Sequence, residues 1–152
     1  MATEPNLDGS SLTIAVVVAR FNEAVTSRLL DGAADAATRC GVRRHDVFHV
    51  PGSFELPVVA KRLGESGRYD AVVCLGAVIR HETDHYHHVS TQAAEGIQRA
   101  ALDTGVPCIF GVLTCDTEQQ ALERSGESRN EGFKAVQSAI ETANLLRSMR
   151  TD

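Results

Sequence analysis

From residue 13 the chain reads TIAVVVA, an unbroken apolar and β-branched run to residue 19. Polar positions do not alternate with apolar ones. This strand must therefore be covered on both faces, as strands are in parallel sheets flanked by helices. The period then changes. Val25, Leu29, Ala33, Ala37 and Cys40 recur every three or four residues, a helical stripe that Gly41 closes as a C-terminal cap. HDVFHV, residues 45–50, predicts a second strand, and beyond the turn residues Pro51 and Gly52 another stripe runs through Leu56, Val59, Ala60 and Leu63. Pro57 suits that helix only in its first turn, where its missing N–H has no intrahelical partner to lose. DAVVCLGAVI, residues 70–79, is the strongest buried strand; Val89, Ala93, Ile97, Ala100 and Ala101 form a third stripe, and from Pro107 the run CIFGVLT starts a fourth strand. Thr117 and Gln120 have the spacing of a capping box ahead of a short helix. Asn130 precedes a longer one with Phe133, Val136, Ile140, Ala143 and Leu146 on one face.

Strand and helix alternating in this way imply right-handed crossovers and an α/β fold. The expected architecture is a three-layer αβα sandwich around a four-stranded parallel, flavodoxin-like sheet. With 152 residues the chain has the size of one domain with a substantial core. Residues 1–11 read as a flexible N-terminal arm and residues 12–152 as a single domain, without repeat, linker or low-complexity tract.

Composition narrows the function classes. Apolar residues make up 43% and charged residues 23%, as in ordinary soluble globular proteins. The net charge is −5 and the 15 lysines and arginines are scattered, which argues against a nucleic-acid or anionic-membrane surface. Cys40, Cys74, Cys108 and Cys115 form no CxxC pair and read as reduced thiols of a cytoplasmic protein. The opening MATEPNLDGSS lacks the basic and apolar regions of an export signal, and no apolar run approaches the roughly 18 residues of a membrane span.

Ligands of such sheets bind beyond the carboxyl ends of the strands. RFN follows the first strand there, PGSFE the second and AVIRHETDH the third, while FGVLT ends the fourth. In RHETDHYHH, residues 80–88, Thr83 or Asp84 can cap the third helix, whose free N–H groups and dipole favour an anion, with Arg80 adding charge. Histidine, with an ordinary pKa of about 6.5, exchanges protons at neutral pH, and His85 is the best-placed candidate. His87 and His88 read as helix-surface residues. Helical spacing puts His85 and His88 on one face and His87 elsewhere, and no HExxH pattern is present, so a catalytic metal is not expected. Phe21 can present an aromatic face to a flat heterocycle or sit in the core. Ser53 and Glu55 offer polar groups to a ligand or simply cap a helix. Arg124 can reach a phosphate by charge-assisted bonds, although a surface salt bridge is the commoner fate of a lone arginine.

ARFN, VPGSFELP, CLGAVIRHETDHY, FGVLTCDTEQQALER and NEGFKA, in that order, resemble the lumazine synthase family of riboflavin biosynthesis. The resemblance runs from about residue 12 to the C-terminus. It implies a transferase that condenses 5-amino-6-(D-ribitylamino)uracil with 3,4-dihydroxy-2-butanone 4-phosphate, without metal or organic cofactor. It implies that Phe21 stacks on the pyrimidine, and that Ser53, Phe54 and Glu55 with Ala77, Val78 and Ile79 hold the uracil and ribityl chain. Glu82 and Thr83 would hold the phosphate with Arg124, Phe110 would come from a neighbouring subunit, and His85 would carry protons. The implied partners are further copies of the chain, as a pentamer, a decamer or a sixty-subunit icosahedral shell, and riboflavin synthase. Three positions depart from the family's usual residues: His81 stands in place of glycine, His87 in place of an acid, and Glu131 in place of a phosphate-assisting lysine. Arg129 and Lys134 are the cations near that last position. The alternative reading is a weakened paralogue that binds a flavin-like ligand or builds a shell.

Overall fold

A computed structural model of the protein describes residues 1–81 and 84–150. In chain order it contains β1 (Thr13–Ala19), α1 (Glu23–Arg39), β2 (Arg44–Val50), a 3-10 turn (Ser53–Glu55), α2 (Leu56–Glu65), β3 (Ala71–Ile79), α3 (His85–Thr104), β4 (Cys108–Cys115), α4 (Glu118–Arg124) and α5 (Glu131–Ser148). The four strands form one parallel sheet in the order β2-β1-β3-β4. This is the expected three-layer, flavodoxin-like arrangement.

The unbroken apolar runs fall on the two central strands. Because successive side chains point to opposite faces, Ile14, Val16 and Val18 of β1 pack with Leu29, Val136 and Ile140 of α1 and α5. Ala15, Val17 and Ala19 face the other way, onto Leu56, Ala60 and Ile97 of α2 and α3. β2, at the edge, mixes exposed and buried positions instead.

Local chemistry sets the helix ends. Gly41, at φ 68°, follows α1 in the left-handed conformation; its N–H donates to the Thr38 carbonyl and that of Val42 to the Ala37 carbonyl. Those are the two bonds of a Schellman motif. Pro57 lies at the start of α2, and Thr117 and Gln120 make the expected capping box on α4. At α5, Asn130 Oδ1 accepts from the Phe133 N–H, while its Nδ2 donates to the carbonyls of Arg28 and Ser125, each at 3.0 Å. One amide therefore caps α5 and ties it to α1 and to the loop after α4.

At the amino ends of the strands, Asp70 accepts from the Thr13 N–H at 2.8 Å and pairs with Arg147 at 2.7 Å. Arg147 also donates to Ser11 Oγ. Asn144 Nδ2 donates to the carbonyls of Asn6 and Asp8, so the chain before β1 runs against α5. Among the described residues no helix is long and apolar enough to cross a membrane.

Two outcomes follow from these contacts. Asn130→Ala is expected to lower unfolding free energy by about 1–3 kcal/mol. Asn130→Asp keeps the acceptor but turns a carboxylate oxygen towards the carbonyls of Arg28 and Ser125, so its urea midpoint should fall to about that of the alanine variant or below; a midpoint near that of the unchanged protein would show that the two donated bonds contribute nothing. Burial also pushes the Cys74 thiol up, and that of Cys108 up to about 11. The folded state keeps protons that unfolded thiols release, so stability should decline as pH rises above about 9. Cys74→Ala/Cys108→Ala should flatten that part of the stability-against-pH curve.

Candidate active site

Strands β1 and β3 are neighbours whose following connections diverge to opposite faces of the sheet, which opens a crevice at their carboxyl ends. β1 runs into it as Arg20-Phe21-Asn22. The N–H of Arg20 donates to the Val50 carbonyl and that of Phe21 to the Pro51 carbonyl, extending the β2 pairing past the strand. Asn22 then turns the chain at φ 64°, ψ 49°, the left-handed conformation that asparagine tolerates better than most side chains. Its Nδ2 donates to the Ala77 carbonyl of β3 at 2.8 Å. Held on both sides, Phe21 is 70% exposed. The core alternative for this residue is thereby excluded, and it forms an aromatic shelf.

Pro51 and Gly52 lead from β2 into the short turn that carries Ser53, Phe54 and Glu55. Ser53 is buried, with its hydroxyl oxygen seated against Gly76 in β3, where a side-chain methyl would collide with it. Phe54 is 57% exposed and Glu55 half-buried. Ala77 and Val78 are buried and Ile79 half-buried at the end of β3.

A cavity of about 130 Å³ joins Phe21, Asn22, Ser53, Ala77, Val78 and Ile79 with His81, His85, Tyr86 and Val89. Six of the sequence-predicted residues thus meet at one crevice: the shelf, the serine, the end of β3 and the histidine. Phe54 and Glu55 adjoin Ser53 in the chain but do not line this cavity. The expected phosphate contacts Glu82 and Thr83 lie outside the described residues. Asp84 occupies the N-cap position of α3, yet its side chain makes no capping bond, because its backbone is already helical at φ −70°, ψ −3°. His85 is the first residue of that helix. Arg80 turns towards Asp116, at 3.9 Å, and over the Tyr86 ring. His87 packs edge-on to Tyr86 with ring centroids 5.3 Å apart. Among the described residues, no three metal-ligating side chains converge.

Phe110 and Arg124 belong to a different surface. They line a groove of about 370 Å³ between β4 and α5, together with Arg129, Glu131 and Lys134. Phe110 is 43% exposed there. Arg124 Nη1 donates to the Gln120 carbonyl of its own helix at 3.1 Å. Burial raises the Cys115 thiol pKa, and the nearby guanidiniums of Arg124 and Arg129 partly oppose that rise. The cavity beside His85 and this groove share no lining residue.

Asn22, His81, Tyr86 and Val89 line the cavity but were not assigned to a site by sequence reasoning. The signal for Asn22 was available: asparagine directly after a buried strand and before a helical stripe marks a left-handed turn. Tyr86 had none beyond its neighbour His85. Asn22→Ala should be less stable than Asn22→Gly by about 1 kcal/mol, because only the alanine pays the left-handed penalty. Both variants lose the bond to Ala77, so both should bind an aromatic ligand more weakly; equal stabilities in thermal unfolding would contradict the backbone argument.

The chain is similar to known proteins over most of its length. A sequence model of the 6,7-dimethyl-8-ribityllumazine synthase family matches residues 11–147. A 6,7-dimethyl-8-ribityllumazine synthase of Thermococcus onnurineus (strain NA1) is 49% identical over 146 residues, covering 96% of this chain and 96% of that protein. The protein of the same name from Thermococcus gammatolerans (strain DSM 15229 / JCM 11827 / EJ3) is 52% identical over 141 residues, covering 93% of this chain and 92% of that protein. Matched over residues 11–147 and about half identical to these relatives, the chain belongs to the 6,7-dimethyl-8-ribityllumazine synthase family.

Proposed function

We propose that this protein condenses 5-amino-6-(D-ribitylamino)uracil with 3,4-dihydroxy-2-butanone 4-phosphate to give 6,7-dimethyl-8-ribityllumazine, phosphate and water. The observation that carries this reading is the convergence of Phe21 and His85 on one cavity at the β1/β3 crevice. The pyrimidine stacks on Phe21, and Ser53, Phe54, Glu55 and residues 77–79 contact its polar edge and ribityl chain. The amine attacks the ketone and water leaves as an imine forms; a proton shift expels phosphate; ring closure releases further water. These steps need positioning and proton transfer more than a strong nucleophile. His85 moves the protons. Arg124 contacts the phosphate.

We further propose that the complete site forms between subunits of a pentamer, or of a multiple of pentamers. Sites for small ligands commonly enclose about 300–1,000 Å³, and the cavity beside His85 has about 130 Å³. Another copy that brings its Phe110 and Arg124 against the Phe21 shelf would enlarge and close it. The exposed aromatic faces of Phe21, Phe54 and Phe110 suit such a contact. The reaction belongs in the cytoplasm, where thiols stay reduced and its product can pass to riboflavin synthase.

Chelator-treated protein mixed with both substrates should raise lumazine fluorescence and phosphate release above the spontaneous rate. His85→Ala should reduce kcat by about a hundredfold, and an unchanged kcat would remove His85 from the chemistry. Light scattering should give a mass of five chains or a multiple of five; an active monomer would overturn the shared site.

A further inference from the structure

The groove beside β4 holds more positive charge than one arginine. Arg129 and Lys134 stand with Arg124 along it, and both converge on the same carboxylate oxygen: Arg129 Nε lies 3.1 Å and Lys134 Nζ 3.7 Å from Glu131 Oε1. The side chains of Arg129 and Lys134 are 50% and 59% exposed, that of Glu131 27%. Ion pairs this wet are weak and cost little to rearrange. Arg129 spends only its Nε on Glu131, and a guanidinium has a second, two-nitrogen edge suited to a phosphate. Arg124 is turned by its bond to the Gln120 carbonyl, and together with Arg129 it acts on Cys115 at the end of β4.

We infer that Arg129 is a second phosphate-binding arginine, and that Glu131 holds Arg129 and Lys134 in the groove while competing with the phosphate for them. This rests on the reaction assigned above and names further residues for its phosphate ester. A phosphate dianion carries more charge than the carboxylate and accepts more hydrogen bonds, so it draws both cations away. Before it arrives, Glu131 neutralises part of the cluster and keeps the flexible side chains near the groove. Arg129 therefore contributes to affinity and Glu131 subtracts from it. A purely structural Glu131 would have the opposite sign, because its loss would scatter the cations and weaken binding.

Calorimetric titration of the full-length protein with inorganic phosphate tests this without requiring turnover. Arg129→Ala should weaken phosphate binding about tenfold, Arg129→Lys should restore part of the loss, and Glu131→Gln should tighten binding several-fold. In turnover, the KM for the butanone phosphate should move in the same directions, with the KM for the uracil substrate and kcat little changed. In Arg129→Ala/Glu131→Gln the gain from the second change should shrink, because only Lys134 remains to be released. Absent phosphate binding, unchanged affinity in Arg129→Ala, or weaker binding in Glu131→Gln would each overturn the proposal. Phosphate binding with these signs but no turnover would keep the clamp and reject the reaction.

Discussion

Every position of β1 from Ile14 to Ala19 and of β3 from Ala71 to Val78 is buried, and these strands lie side by side at the centre of the sheet. Strands apolar on both faces have to be covered on both, which forces helices onto each side and leaves the chain no polar outlet except the strand ends. That constraint locates the chemistry. Residues able to bind or to move a proton collect where β1 and β3 emerge and their connections part. Elsewhere, Asp70, Arg147 and Ser11 close the opposite ends of the strands with a compact polar network.

The crevice is held open by short-range devices that depend on this core. The Asn22 side chain reaches β3 only because β1 and β3 pair in a fixed register, Val18 opposite Leu75. Ser53 can sit beside β3 only because Gly76 has no side chain. The shelf at Phe21 thus owes its exposure to backbone geometry on three sides: the β2 carbonyls, the left-handed turn, and the amide bond to Ala77. With the backbone under Phe21 already held, only the side-chain torsions of the ring remain to be ordered when a ligand stacks, which lowers the cost of binding.

The second surface has a different character. Between β4 and α5 the groove is lined by long, half-exposed charged side chains that change partners at little cost. Rigid apolar positioning at one surface and adaptable charge at the other suit a reaction that joins a flat heterocycle to a small phosphate ester. Asn130 links the groove to the core, since the amide that caps α5 also fastens the backbone flanking Arg129 and Glu131 to α1.

Element order, sheet type and the helix-end chemistry at Gly41, Pro57, Thr117 and Asn130 were legible in the sequence, because hydrophobic period and capping preference are local properties. So was the concentration of Phe21, Ser53, residues 77–79 and His85 at the carboxyl edge. Asp84 shows the limit: its residue type suits a cap, but its helical backbone points the side chain away from that role. Distances across the fold were not legible. That Asn22 reaches Ala77, that Arg129 and Lys134 meet on one oxygen of Glu131, and that Phe110 and Arg124 stand apart from the His85 cavity depend on strand register and on how α5 docks beside β4. The sequence by itself determined which segments become strands and helices and which chemistry gathers at one edge. The tertiary structure decided which of those groups touch, because contact between residues far apart in the chain depends on the packing of the whole core.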